Sequence, residues 1–329
     1  MSVCDLKNDD YFKLIAAEIP FSLDTKPRLR VYKGTQIENE QGLPGIPSSV
    51  QSLYISENQP KMPSNFFKQI FDSLLVIFFF YFQVVAVSVG PSILFYRNMK
   101  PYFKYTVPSL MIEPLETEIW QKLPSDMPMN YGKLINNLKT MNISQMSSLS
   151  QKLISLCDDE REAFIRDHRE PKLERLSTIV AMATIYKSIE EDKAPNCLII
   201  ATEASDILIM DVQSFNIIHQ ARVCNFKAIP DMISASGSFQ NDFKIVIATR
   251  EGSICMLRKN WLEGREIVKL ETPATSMCLL PIDQTIVVLS NSLKCYSKKG
   301  KMLWTLSMEE PVMCMTPVSL PHLGVSMVS

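Results

Sequence analysis

The sequence is poor in glycine and poorer in histidine, with 10 Gly and 3 His in 329 residues. So few glycines leave little room for the backbone-lined loops that cradle phosphate, and no P-loop, G-x-S-x-G, H-E-x-x-H or dinucleotide fingerprint occurs. His168 falls at an expected helix end, His219 in an expected strand and His322 near the last residues, so each reads as a structural side chain. The 8 cysteines are scattered from Cys4 to Cys314 without a C-x-x-C pair, which favours reduced thiols packed in apolar runs over zinc or a disulfide framework. Neither sign of charge is in excess: Lys+Arg 34 against Asp+Glu 35 gives a net charge of -1. That argues against a chain built to grip nucleic acid. The acidic stretch from Asp5 places Lys7 and Lys13 where a calcium loop needs its third and ninth oxygen ligands, so calcium is not expected. Met1 to Asp10 is polar, unlike a secretory leader, and the sequon Asn142-Ile143-Ser144 carries no weight without one. The expectation is a protein that is not an enzyme and needs no metal or cofactor.

What is present is a recurring hairpin. Val84 to Ser88 and Ile93 to Tyr96 are short β-rich runs around the turn residues Gly90 and Pro91. The same pattern returns in 197–211 (CLIIATEASDILIMD), 243–258 (FKIVIATREGSICMLR) and 284–306, with turns at Ser205-Asp206, Glu251-Gly252 and Ser290-Asn291. A further short strand goes with the repeat, in 228–237, 273–282 and 311–320. Lys13–Ala17, 27–34 and 50–56 read as strands as well, and 38–49 as a loop. A unit of roughly forty residues with four strands is a propeller-blade pattern. The expectation is a mainly β, WD40-like β-propeller, incomplete at about five blades or part-blades. An open ring of this kind is expected to be poorly soluble alone.

Two segments depart from the repeat. From Ser73 to Gly90 no residue carries a charge. By length that makes a transmembrane candidate, and a single-pass membrane protein anchored by 66–90 is the alternative reading. Gln83 and Ser88 interrupt the run, and Val84–Gly90 fits a blade strand better. Phe with Ile, Leu, Val and Tyr is also what a pyrimidine-rich intron end encodes, so 64–83 is expected to be a retained intron or an equivalent insertion in a truncated or mis-spliced gene product. The other departure is 113–190, where the apolar spacing changes to three and four in 133–141, 147–157, 158–168 and 175–189. Pro114 suits a first helical turn, and Asp158, Asp159 and Glu160 suit a helix N-terminus. The expected organisation is thus first blades in 1–112, a helical insertion in 113–190, and further blades in 191–329 without ring closure.

Arg97, Lys100, Pro101, Tyr102, Phe103, Lys104 and Tyr105 form a basic-aromatic tail behind the first clear hairpin. Stacking on single-stranded nucleic acid is one use for such a mixture. A blade-edge strand is the favoured one, with Tyr102, Phe103 and Tyr105 as anchors and Lys100 and Lys104 facing solvent.

The strings 96–120 (YRNMKPYFKYTVPSLMIEPLETEIW), 27–34 (PRLRVYKG), 197–211 and 298–308 (KKGKMLWTLSM) resemble the Bardet–Biedl syndrome 1 family, the amino-terminal propeller subunit of the BBSome coat complex. The likeness runs in order along most of the chain, 64–83 excepted. It implies a non-enzymatic scaffold for ciliary membrane-protein trafficking and cilium assembly. Implied partners are the other BBSome subunits, a GTP-loaded Arf-like GTPase and membrane cargo that includes hedgehog-pathway receptors (Smoothened, Patched). Implied locations are cytoplasm, basal body or centrosome, axoneme and, peripherally, the ciliary membrane. The adaptin-ear-like domain of the family lies outside this sequence.

Overall fold

The computed structural model describes residues 1–7, 11–20, 25–57, 80–122, 131–168, 171–191, 193–224, 228–280, 285–308, 312, 314–315, 317–320 and 325–328. The chain forms two compact units, Met1–Tyr105 with Thr178–Ser329, and Thr106–Ser177. The larger is a succession of four-stranded sheets whose strands pair in chain order. The first holds β1 (Ser2–Cys4), β2 (Lys13–Glu18), β3 (Arg28–Lys33) and β4 (Gln36–Gly42). The second holds β5 (Pro47–Glu57), β6 (Phe80–Val89), β7 (Ser92–Arg97) and β8 (Lys100–Thr106). The third holds β9 (Ile179–Tyr186), β10 (Asn196–Thr202), β11 (Asp206–Asp211) and β12 (Asn216–Arg222). The fourth holds β13 (Pro230–Gly237), β14 (Phe243–Thr249), β15 (Ser253–Arg258) and β16 (Arg265–Lys269). The fifth holds β17 (Ser276–Leu280), β18 (Thr285–Leu289), β19 (Leu293–Tyr296) and β20 (Met302–Leu306), and β21 (Pro317–Leu320) pairs with β22 (Val325–Val328).

The middle strands are buried on both faces. Every residue of β14 is buried, as is all of β10 beyond its first residue. Strands flanked on both sides read as unbroken apolar runs, which is why these segments lack a polar alternate. The last strand of each sheet is polar or solvent-facing, as in β4, β8 and β16. Leading strands pack on one another in series, β5 on β9, β9 on β13 and β13 on β17. Polar side chains join these neighbours: Ser48 Oγ donates to Ile179 O (2.7 Å), Gln51 Nε2 to Met182 O (2.9 Å), and Leu279 N to Ser234 Oγ (2.9 Å).

Three expectations change here. Residues 38–49, expected as a loop, begin inside β4, whose exposed edge position needs no apolar alternation. The segment 175–189, expected as the last helix of a 113–190 insertion, holds strand β9. Its apolar spacing fits either period, but its inner position buries both faces and its Thr and Ile favour a strand. The helical unit accordingly ends at Ser177. Finally, the strand expected from Val84 begins at Phe80, and its Gln83 pairs with Tyr54 across the ladder. This gives residues 80–89 to a sheet, against an anchor spanning 66–90; 66–79 lie outside the described residues. Among the described residues no helix is long and apolar enough to cross a membrane. Among the methionines, Met210, Met256 and Met277 are buried in strands. Met315 is half-buried beside the fifth sheet, and Met313 lies outside the described residues.

The helical unit contains α1 (Pro114–Gln121), α2 (Tyr131–Lys139), α3 (Ser148–Ser155) and α4 (Asp158–Asp167). Asp158, Asp159 and Glu160 occupy the first turn of α4, behind Cys157 as the capping residue. Trp120, Leu134, Leu138, Leu153 and Ile165 make the core. Beside it lies a buried carboxylate. Glu116 is fully buried and accepts from Ser147 N (3.0 and 3.1 Å to its two oxygens), Ser147 Oγ (2.5 Å) and Ser150 Oγ (2.5 Å). Trp120 Nε1 donates to Ser150 Oγ (2.9 Å), and Ser147 Oγ accepts from Ser150 N at the start of α3. One carboxylate thus ties α1 to the cap of α3. Removing it strands several buried donors, a cost of about 3 kcal/mol. Glu116→Ala is expected to lower the stability of this unit by that amount, and Trp120→Phe by about 1 kcal/mol. Urea unfolding followed by far-ultraviolet circular dichroism checks both, and unchanged midpoints would remove the network from the account.

Candidate protein-interaction surface

The basic-aromatic tail forms the outer edge of the second sheet. Asn98 and Met99 both take positive φ (47° and 61°), the geometry of a two-residue hairpin turn between β7 and β8. Met99 is buried among Val85, Val87 and Tyr96, so the turn is held by a core contact. Beyond it Lys100, Pro101, Tyr102, Phe103 and Lys104 are exposed, and Tyr105 is half-buried with its phenol pushed above the usual tyrosine range by burial. Pro101 and the lysines suit an unpaired edge, because they discourage another strand from adding on. The Arg97 guanidinium lies 3.8 Å from the centre of the Phe82 ring.

The rings are partly used within the protein. Phe215, in the turn between β11 and β12 of the next sheet, sits 4.1 Å from Phe103, 5.1 Å from Phe95 and 6.1 Å from Tyr102, centre to centre. Phe215 holds a positive φ of 54°, a strained placement for an aromatic residue that the ring cluster offsets. Tyr102 and Phe103 still expose 47% and 41% of their surface, enough to offer a partner two aromatic edges beside three cations. Of the three expected anchors, Tyr102 and Phe103 make these ring contacts, while their outer faces remain open. Phe215 was not readable from the sequence as part of this group. Its turn sits between two strands of a different blade, and only the packing of adjacent blades joins them.

The remaining sites carry little chemistry. A cavity of about 580 Å³ lies where β5, β9 and β13 converge, lined by Ser52, Tyr54, Gln83, Thr184, Lys193 and Asn196 among others. Among the described residues no group of three or more His, Cys, Asp or Glu could hold a metal ion. His168 Nδ1 meets Phe164 O (2.8 Å) and His219 Nε2 meets Trp261 O (3.1 Å), so both are structural; His322 lies outside the described residues.

The succession of four-stranded sheets, with strands paired in chain order, defines a β-propeller. The chain belongs to the family described as Ciliary BBSome complex subunit 1, whose model matches residues 1–65 and 79–258. It is 27% identical over 319 residues to the mouse BBSome complex member BBS1, covering 96% of this chain and 49% of that protein. The human counterpart is 26% identical over the same share. The chain thus spans about half the length of these curated relatives. Crystal structures of BBS1N in complex with ARL6DN, soaked with lead or mercury, match with TM-scores of 0.62 and 0.63 at 20% identity, covering 97% and 96% of this chain and 72% and 70% of theirs. These matches carry the propeller fold. The family model passes over 66–78 but matches 64–65 and 79–83, so the stretch without a counterpart is shorter at both ends than the 64–83 expected as an insertion.

The aromatic cluster makes a direct prediction. A double-mutant cycle with Phe103→Ala and Phe215→Ala is expected to give a coupling of about 1 kcal/mol in equilibrium unfolding. Additive losses would mean that the two rings stabilise the junction independently.

Proposed function

We propose that this chain is a non-enzymatic scaffold subunit of the BBSome, acting in ciliary membrane-protein trafficking and cilium assembly. The observation that carries the reading is the family match, which spans the first three sheets, the helical unit and most of the fourth sheet. In this reading the blades bind a GTP-loaded Arf-like GTPase and, with the other subunits, membrane cargo such as the hedgehog-pathway receptors Smoothened and Patched. The solved relative held with ARL6DN supports the GTPase. The protein would work in cytoplasm, at the basal body or centrosome, along the axoneme and peripherally at the ciliary membrane. The open edge of β8, from Arg97 to Tyr105, is proposed as part of the surface that partners meet. No catalytic step, metal or nucleic acid enters the scheme.

Affinity purification of the tagged chain from ciliated cells is expected to recover other BBSome subunits and to retain the Arf-like GTPase in its GTP-loaded form over its GDP-loaded form. Lys100→Glu with Lys104→Glu is expected to reduce that recovery, most at low salt, as charge contacts at an interface rim do. Failure to recover any subunit, together with resistance to carbonate extraction, would favour the membrane-anchored alternative instead.

We also propose that 66–78, the part of the expected 64–83 insertion that the family model passes over, derive from a retained intron or an equivalent insertion. Deleting them is expected to leave the thermal unfolding midpoint unchanged. Abundant transcript reads that include the segment, with a deletion variant that fails to fold, would end this idea.

A further inference from the structure

We propose that Cys224 and Cys255 are a modification site, at which a peroxide converts two thiols into a reversible disulfide that ties the exit of the third sheet to the fourth. The two Sγ atoms lie 2.7 Å apart. Both cysteines are free thiols, Cys255 fully buried on β15 and Cys224 half-buried just beyond β12. Their proximity is held from several sides. Arg222 N donates to Leu262 O (2.8 Å), Val223 N to Ser205 O (3.0 Å), and Gly264 N to Arg222 O (2.9 Å). A Cβ added at Gly264 would stand 2.1 Å from Val223 O, so the link between β15 and β16 lies directly on the backbone before Cys224. Cys255 is fixed in its ladder opposite Ile247 and Glu266. The sulfurs therefore meet because two pieces of backbone are clamped together.

The half-buried position makes Cys224 the sulfur that a small oxidant reaches. Its thiolate attacks one peroxide oxygen, the O–O bond breaks, and the departing hydroxide takes up the thiol proton as water, leaving a sulfenic acid on Cys224. The Cys255 sulfur then attacks the Cys224 sulfur, the S–O bond breaks, and the Cys255 proton leaves with the hydroxyl as a second water. Two thiols and one peroxide thus give one disulfide and two waters. Burial raises the Cys255 thiol pKa, which leaves Cys224 as the sulfur that meets the oxidant first. Contact with Cys255 also captures the sulfenic acid before a second peroxide can carry it to sulfinic acid. Thiol–disulfide exchange with a small reductant reverses the bond.

The test uses the full chain carrying Cys157→Ser and Cys314→Ser, which removes the two exposed thiols. After treatment with hydrogen peroxide, blocking with iodoacetamide and non-reducing trypsin digestion, mass spectrometry is expected to find peptide 223–227 joined to 251–258. Dithiothreitol should release the two peptides, and the oxidised protein should melt at a higher temperature than the reduced one. Cys224→Ser should abolish the linked species; because its position is half-buried, this variant remains informative if Cys255→Ser fails to fold. Recovery of both cysteines alkylated after peroxide, or of Cys224 as sulfinic acid with Cys255 unlinked, would overturn the proposal.

Discussion

A sheet that is apolar on both faces has no stable existence alone, and this requirement governs the larger unit. β14 buries every one of its residues and β10 nearly all, so each sheet needs a neighbour on either side. The contacts that satisfy it are apolar clusters shared between consecutive sheets, such as Ile199, Ile209, Phe243, Ile245 and Cys255. The hydrogen bonds that Ser48 and Gln51 donate to backbone carbonyls, and that Ser234 accepts from Leu279 N, join the leading strands without breaking those clusters. A fold built this way absorbs an insertion most easily between the last strand of one sheet and the first of the next. The helical unit enters at that place, after β8 and before β9, where no ladder is interrupted.

The sequence made the inner strands legible and the outer ones faint, for one reason. Burial on both faces writes an apolar run that survives any choice of window, whereas an edge strand such as β4, with its Gln, Glu and Asn, differs little from a loop. The same double burial caused the one misassigned helix. In β9 both faces are apolar, so its spacing fits a helical period as well as a strand's. The true helices were recognisable because they lie on the surface of a small core and keep one polar side, as α2 and α3 do around Leu134, Leu138 and Leu153.

The strings that carried the family resemblance acquire physical causes here. Asn98-Met99 is a turn that demands two positive φ values, and Met99 must also reach the core. In PLETEIW, Glu116 and Trp120 are held by hydroxyls of Ser147 and Ser150, so the helix string and the later Ser-x-x-Ser are parts of a single device. Nothing in the sequence marks a glutamate in a first helical turn as buried. The pairing with two serines three residues apart was the only available signal, and it is a weak one. Phe215 gave no signal at all, since its importance comes from which blade it faces.

The hairpin of β5 and β6 also explains how additional residues could be carried without harm. Glu57 and Phe80 are partners at its open end, and Leu53 with Val84 and Val50 with Val87 continue the register toward the core. That register is fixed by the burial of Val84, Val85, Ala86 and Val87 and by Gln83, which accepts a hydrogen bond from Asp5 N just beyond β1. None of these terms depends on how far the chain travels between the two ends. Loop closure grows only logarithmically with length, at about 0.6 kcal/mol for each doubling. A long connection and a short one therefore close the same hairpin at nearly the same stability. This is why a stretch that the family model passes over can sit between two strands that it matches.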